Sequence, residues 1–212
     1  MKPTVNCKEF ESAVSVAEMR AADAYTIQNF VPSKELMYRA AMGLFHAAKW
    51  EGKRIAIVTG SGNNGGDGYA LAAILAERGI YPTLYRVSEK FSEDGAYYYD
   101  KAVTLSVADR RFDESSHFDG YDIVVDCLLG TGFSGAPQGL YARAIEMINK
   151  SGAFVLSADI NSGMNGDTGE AILAVKSDRT VSIGFYKKGM FLGDAPNLVG
   201  DLVNVDIGIK RI

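Results

Sequence analysis

Five of the nine residues Gly60-Ser61-Gly62-Asn63-Asn64-Gly65-Gly66-Asp67-Gly68 are glycine, and they join an apolar run at 55–58 to a helical pattern. That position restricts what the chain can be. Glycines at the mouth of a strand-to-helix turn let backbone N–H groups come close to a ligand, and a helix start there favours anionic groups. Gly60, Gly62 and Gly65 satisfy G-x-G-x-x-G, which by itself points to a dinucleotide pyrophosphate. The polar cargo is less usual, because Asn63, Asn64 and Asp67 add two carboxamides and a carboxylate to a loop that needs only glycine.

The surrounding pattern gives the fold class. Ser15 and Glu18 form an S-x-x-E capping box that predicts a helix with Val16, Met19, Asp23, Ile27 and Phe30 on one face. Asp23 interrupts that stripe and is expected to pair with an arginine or a backbone donor. Ser33 is expected to cap a second helix carrying Leu36, Met37, Ala40, Leu44 and Ala47, so two helices precede the first strand. From residue 54 strands and helices alternate: a strand to 59, the glycine loop, a helix over 67–78, a strand over 83–87 and a tyrosine-rich helix over 92–102. Strands follow at 121–126 and 154–158 with a helix over 140–149 between them, and β-rich runs close the chain at 180–183 and 202–207. This predicts a three-layer α/β/α, Rossmann-like fold, with a mostly parallel sheet and two N-terminal helices, as a single domain over 1–212.

Composition excludes several classes. A net charge of −4 with no basic run argues against nucleic acid, and no apolar stretch approaches the roughly 18 residues that span a bilayer. The polar N-terminus at 1–11 lacks the apolar core of a secretory signal, and Cys7 and Cys127 form neither a C-x-x-C pair nor a disulfide framework. A cytoplasmic protein is expected.

In a doubly wound sheet, ligands sit outside the carboxyl ends of the strands. The strand ends here deliver Asn63, Asn64 and Asp67, then Asp126 and the loop Gly130-Thr131-Gly132-Phe133-Ser134-Gly135-Ala136, then Asp159 and Ser162. Amide, carboxylate and hydroxyl oxygens suit a hard cation, and glycine loops suit phosphate. Histidine and thiol ligands are missing from this rim, which disfavours zinc. Bland roles remain open: Asp126 and Asp159 as turn caps, residues 165–169 as turn chemistry, Cys127 as core, His46 and His117 as bystanders. Lys187-Lys188-Gly189 reads as a solvated turn, or as a phosphate contact near the rim.

Taken in order, Gly62-Asn63-Asn64-Gly65-Gly66-Asp67-Gly68, Val125-Asp126-Cys127-Leu128-Leu129-Gly130-Thr131-Gly132 and Asp159-Ile160-Asn161-Ser162-Gly163 resemble the YjeF N-terminal domain family of NAD(P)H-hydrate epimerases. The resemblance covers nearly the whole chain. It implies interconversion of the R and S epimers of hydrated NADH and NADPH, a repair step for nicotinamide cofactors, and a bound potassium ion. Carried over by motif, Asn64, Asp126 and Ser162 would be the potassium ligands. Asn63, Asn64, Gly65, Gly66, Asp67, Gly130, Thr131, Gly132, Phe133, Ser134, Gly135, Ala136 and Asp159 would contact the substrate. Asp159 is the candidate acid/base. The chain departs from the family pattern at Asn161, where D-I-P-S-G has proline, and at Tyr38, where glutamate is common.

Two other readings stand beside the epimerase. Similar domains occur in proteins that dimerise and bind partners, so a non-catalytic nucleotide-binding or dimerisation scaffold is one, with the tyrosines and N-terminal helices as a homodimer face. A nicotinamide-dependent dehydrogenase is the other, although Asp67 would set negative charge beside a pyrophosphate and only Glu89 approximates the acid such enzymes use for ribose. Related domains are often fused to a dehydratase, so a fused or separate dehydratase is an expected partner.

Overall fold

The computed structural model describes residues 7–212, with side chains from residue 9 onward. Residues 1–6, which begin the polar N-terminal stretch, and the Cys7 side chain lie outside the described residues. Three helices, rather than two, precede the first strand: α1 (Cys7–Ser12), α2 (Val16–Asn29) and α3 (Ser33–His46).

The capping box at the start of α2 forms as its spacing predicts. Ser15 Oγ accepts from the Glu18 N–H at 3.2 Å while Glu18 Oε2 accepts from the Ser15 N–H at 2.6 Å, so two N–H groups at the helix start are satisfied reciprocally. The α2 stripe is a correction. Ile27 and Phe30 are exposed, and only Ala22 and Thr26 of the helix are buried. Ser33 is also corrected, since it is the first residue of α3 and makes no cap hydrogen bond, while Pro32 occupies the N-cap in an extended conformation.

Seven strands form one sheet in the order β3-β2-β1-β4-β5-β6-β7, and every pairing is parallel, so "mostly parallel" becomes wholly parallel. They are β1 (Ile55–Thr59), β2 (Thr83–Arg86), β3 (Ala108–Arg111), β4 (Ile123–Cys127), β5 (Phe154–Ala158), β6 (Arg179–Ile183) and β7 (Asp201–Val205). The edge strand β3, Ala108-Asp109-Arg110-Arg111, is exposed at all four positions and lacks the apolar signature that marks the central strands.

Successive connections cross the two faces of the sheet and make three layers. The helix α4 (Asn63–Ala76) packs with α3 and α5 (Glu93–Thr104) over one face, where Ile57, Leu71, Leu75, Leu84, Val125 and Leu156 share a core. On the other face, α6 (Gly139–Lys150) places Ile145 and Ile148 against Val58, Val124 and Val155. Cys127 is fully buried in the first core, as its place opposite Asp126 on the strand requires.

The largest shift from the sequence reading lies in the glycine loop. Residues 63–66 are already helix, so α4 starts four residues earlier than the pattern suggests, and it is buried from Asn64 to Ala76. Gly65 and Gly66 therefore serve packing. A Cβ on Gly65 would lie 2.2 Å from the Gly60 carbonyl oxygen, and one on Gly66 would lie 2.4 Å from Met37 Cε.

Candidate active site

Strand order reverses between β1 and β4, so the loops leaving their carboxyl ends diverge and open a crevice. A cleft of about 520 Å³ occupies that place. Its lining includes Asn63, Asn64 and Asp67 from the start of α4, Gly130, Thr131, Gly132 and Phe133 from the loop after β4, and Asp159 at the end of β5. Gly65, Gly66, Ser134, Gly135 and Ala136 do not line it. The first two are packed inside, and the last three are exposed further along the loop. Opposite these strand ends stands α2, whose Met19, Arg20, Asp23 and Ile27 form the remaining wall. Met19, Asp23 and Ile27 of the α2 stripe border the cleft, which explains why Asp23 interrupts it.

The N-terminus of α4 opens on this cleft with Gly62 as its N-cap and no side-chain cap. Its first N–H groups and the positive end of the helix dipole are thus free for an anionic ligand. Arg20 adds a cation at the mouth, near the Thr131 carbonyl.

Beneath the floor, Asp126, Ser162 and Asn64 meet around the backbone of Leu129. Asp126 is fully buried and accepts from Ser162 Oγ at 2.5 Å, the Ser162 N–H at 2.9 Å, Ser157 Oγ at 2.8 Å and the Leu128 N–H at 3.2 Å. All four donors are neutral. Burial pushes this carboxyl up from its ordinary value, opposed by the hydrogen bonds from Ser162, Ser157 and Leu128. Asn64 donates Nδ2 to the Leu129 carbonyl at 3.1 Å, yet its buried Oδ1 has no hydrogen-bond partner. An orphaned buried acceptor is costly, by about 1–3 kcal/mol, and calls for an unseen partner.

Asp159 sits at the cleft with a left-handed backbone, φ 64°, and an ion pair to Lys187. Lys187 is fully buried, which corrects its reading as a solvated turn; its neighbour Lys188 is the half-exposed one, 3.4 Å from Glu18. Asp67 and Asp23 complete an acidic cluster. Burial pushes Asp67 well above the ordinary carboxyl range, aided by the charges of Asp159 and Asp23, and Lys187 offsets this only in part. Asp23 is raised by burial and by Asp159. It has neither the arginine nor the backbone donor that the sequence reading gave it, since it makes no hydrogen bond or ion pair among the described residues.

The remaining expectations resolve locally. Asn165 Oδ1 accepts from the N–H groups of Asp167 and Thr168, so residues 165–169 are turn chemistry, and Asp167 then accepts from the Val16 N–H and fixes the start of α2. His46 and His117 lie away from the cleft. Buried Asn161 extends Nδ2 to Val175 O, Ser177 Oγ and Leu198 O and accepts from Thr180 Oγ1. Through Ser177 and Ser157 this network reaches Asp126. Sequence reasoning gave Lys187 a solvated turn or a phosphate contact near the rim and missed both its pairing with Asp159 and the α2 wall.

A larger open groove, about 910 Å³, lies beside the amino ends of β1 and β2 and is lined by Lys53, Arg54, Arg110 and Tyr121. It gathers none of the motif residues, and its charged side chains are solvated. Among the described residues no group of three or more His, Cys, Asp or Glu is placed to hold a metal ion, and no helix is long and apolar enough to cross a membrane.

Comparison with known proteins places the chain in a family. The chain is 32% identical over 199 residues to an NAD(P)H-hydrate epimerase of Limosilactobacillus reuteri, covering 91% of this chain and 94% of that one. It is 34% identical over 202 residues to the bifunctional NAD(P)H-hydrate repair enzyme Nnr of Coxiella burnetii, covering 92% of this chain and 41% of the longer protein. The crystal structure of the yeast protein YNL200c superposes with a TM-score of 0.74 at 21% identity, over 86% of this chain and 84% of that one, and shows the same fold. The family described as YjeF-related protein N-terminus matches residues 33–189, from the start of α3 past Lys187, and the chain belongs to that family.

Proposed function

We propose that the protein is an NAD(P)H-hydrate epimerase, an isomerase that interconverts the R and S epimers of hydrated NADH and NADPH. The carrying observation is the placement of Asp159, a carboxylate at the floor of a switch-point cleft whose other wall is an uncapped helix start. The names of the relatives from Limosilactobacillus reuteri and Coxiella burnetii support the same substrate.

The chemistry fits these parts. The hydroxyl-bearing ring carbon inverts if water leaves and returns on the opposite face. Departure consumes one proton at the hydroxyl and leaves a ring cation stabilised by the ring nitrogen; return of water releases one proton. A carboxyl group that gives the first and takes the second is restored over the cycle, and Asp159 would take that role. The α4 N-terminus, with Asn63, and the Gly130–Gly132 backbone with Arg20 would receive the pyrophosphate. Phe133, Met19 and Ile27 supply the apolar surface that a ring needs.

Potassium is part of the proposal. Asn64 Oδ1 is a buried acceptor without a donor, and the buried Asp126 carboxylate has no cationic partner among the described residues. Oxygen ligands of this kind fit a hard monovalent cation, so Asn64, Asp126 and Ser162 would hold it. Bound there, the ion would offset carboxylate charge and stiffen the two loops, while proton transfer stays with Asp159. The relative named as bifunctional supports a dehydratase, fused or separate, as the functional partner.

Purified protein should speed the approach of pure S-hydrated NADH to its R/S equilibrium, read by chromatography, and Asp159→Asn should slow that rate by about 100-fold or more. An Asp159→Asn variant as fast as wild type would remove Asp159 from the chemistry.

A further inference from the structure

Lys187 is the one fully buried lysine among the described residues. Removing an ammonium group from water is costly unless it is paired and hydrogen-bonded, and an apolar side chain of the same volume is often no less stable. The Lys187 ammonium is fully partnered. Nζ donates to the Asp159 carboxylate, to the Ile183 carbonyl at 2.9 Å and, more weakly, to Ser182 Oγ at 3.4 Å. An ammonium has three N–H groups, so none is left for a ligand.

The backbone that carries Lys187 is braced from both sides. The Val14 N–H donates to the Tyr186 carbonyl at 2.8 Å and the Lys188 N–H donates to the Val14 carbonyl at 3.0 Å, while the Gly189 N–H reaches the Gly166 carbonyl at 2.8 Å. Asp159, by contrast, is held in a left-handed backbone conformation that L-residues adopt only at a cost. Its side chain is 18% exposed, toward the cleft, and that of Lys187 is 0% exposed. The lysine therefore reaches the cleft only through the aspartate.

Three more carboxylates face the same space: Asp23 from α2, Asp67 from α4 and Asp94 from α5, with Arg20 as the cation on the α2 wall. None of them makes a hydrogen bond to Asp159 among the described residues. Among the described residues Lys187 is the one side chain that hydrogen-bonds the Asp159 carboxylate, and its charge is set directly against it.

We propose that Lys187 is a positioning residue for the epimerisation: from beneath the cleft it clamps the Asp159 carboxylate in the orientation that exchanges a proton with the substrate, without touching the substrate itself. This rests on the epimerase reading.

The test uses the intact chain and three variants, Lys187→Met, Lys187→Gln and Asp159→Asn/Lys187→Met, each checked for a cooperative thermal transition. Lys187→Met should lower kcat by about 100-fold and leave KM within about 3-fold, because the lost contact acts on the reacting carboxylate and not on binding. In the Asp159→Asn background the same change should cost less than about 3-fold more, since the two residues act as a unit. A folded Lys187→Met or Lys187→Gln with kcat within about 3-fold of wild type overturns the proposal. So does a loss confined to KM. If neither single variant folds, the double variant, in which no buried charge is left unpaired, decides by comparison with Asp159→Asn: equal rates support the proposal and a further large loss overturns it. A wild-type protein without epimerase activity would instead sink the functional reading, and the two failures are distinct.

Discussion

Ser162 closes on Asp126 with two hydrogen bonds, Oγ to Oδ1 at 2.5 Å and the backbone N–H to Oδ2 at 2.9 Å, and so ties the loop after β5 to the end of β4 across 36 residues of sequence. Ser162 Oγ also accepts from the Leu129 N–H at 2.8 Å, which draws the loop after β4 into the same knot. Ser162→Ala removes both side-chain bonds and leaves a buried carboxylate short of a donor, so unfolding in urea should show a loss of about 2 kcal/mol. A variant of unchanged stability would mean that the knot does not hold the two loops.

Potassium should stabilise the folded protein through Asn64. A ligand present at 100 times its dissociation constant adds about 2.7 kcal/mol to the folded state. Thermal unfolding in potassium chloride should therefore occur at a higher temperature than in lithium chloride of equal ionic strength, and Asn64→Leu should abolish the difference. Equal midpoints for wild type in both salts would remove the ion from the account.

The two adjacent glycines of α4 should differ. The Gly65 Cβ would meet the backbone carbonyl of Gly60, which cannot yield without moving the loop after β1, whereas the Gly66 Cβ would meet the flexible end of Met37. Gly65→Ala should cost upwards of about 3 kcal/mol and Gly66→Ala about 1–2 kcal/mol, in the range of overpacking. Thermal denaturation of the pair ranks them, and the reverse order would show that the helix start is placed differently.

Asp67 gives a pH dependence of definite sign. Its carboxyl in the folded protein is held well above the ordinary value, chiefly by burial. The unfolded chain loses this proton near pH 3.9, while the folded chain keeps it to higher pH, so the folded state binds more protons and stability falls as pH rises between the two values. Asp67→Asn lacks this penalty. Urea midpoints measured from pH 4 to pH 8 should show the variant gaining on wild type as pH increases, and a gain that shrinks with pH would contradict the upward shift of the buried carboxyl.

Much of the architecture was legible because the central parallel strands are mostly apolar and are spaced by helix-length segments, as at 55–59, 123–127 and 154–158. Strand β3 escaped because a solvated edge of Asp and Arg has no hydrophobic period. The glycine loop misled in one respect, since glycine suggests loop where helix packing against a neighbouring backbone selects the same residue. Asp159 was legible by its motif. Lys187 was not, because its burial is set by β6 and by contacts with residues 14 and 166 that are distant in sequence. Asn161 read as the loss of a rigid proline; in the structure its side chain replaces that constraint with hydrogen bonds linking residues 175, 177, 180 and 198.

In the proposed reaction this cleft inverts one ring carbon of a hydrated nicotinamide dinucleotide, with Asp159 moving the proton. The most direct measurement starts from each pure epimer of hydrated NADPH separately and follows both by chromatography with catalytic amounts of protein. The two reactions should converge on one R/S ratio, far faster than without protein, and Asp159→Asn should slow both by about 100-fold or more while leaving a rate measurable above the uncatalysed one. Wild-type protein that speeds neither direction would contradict it.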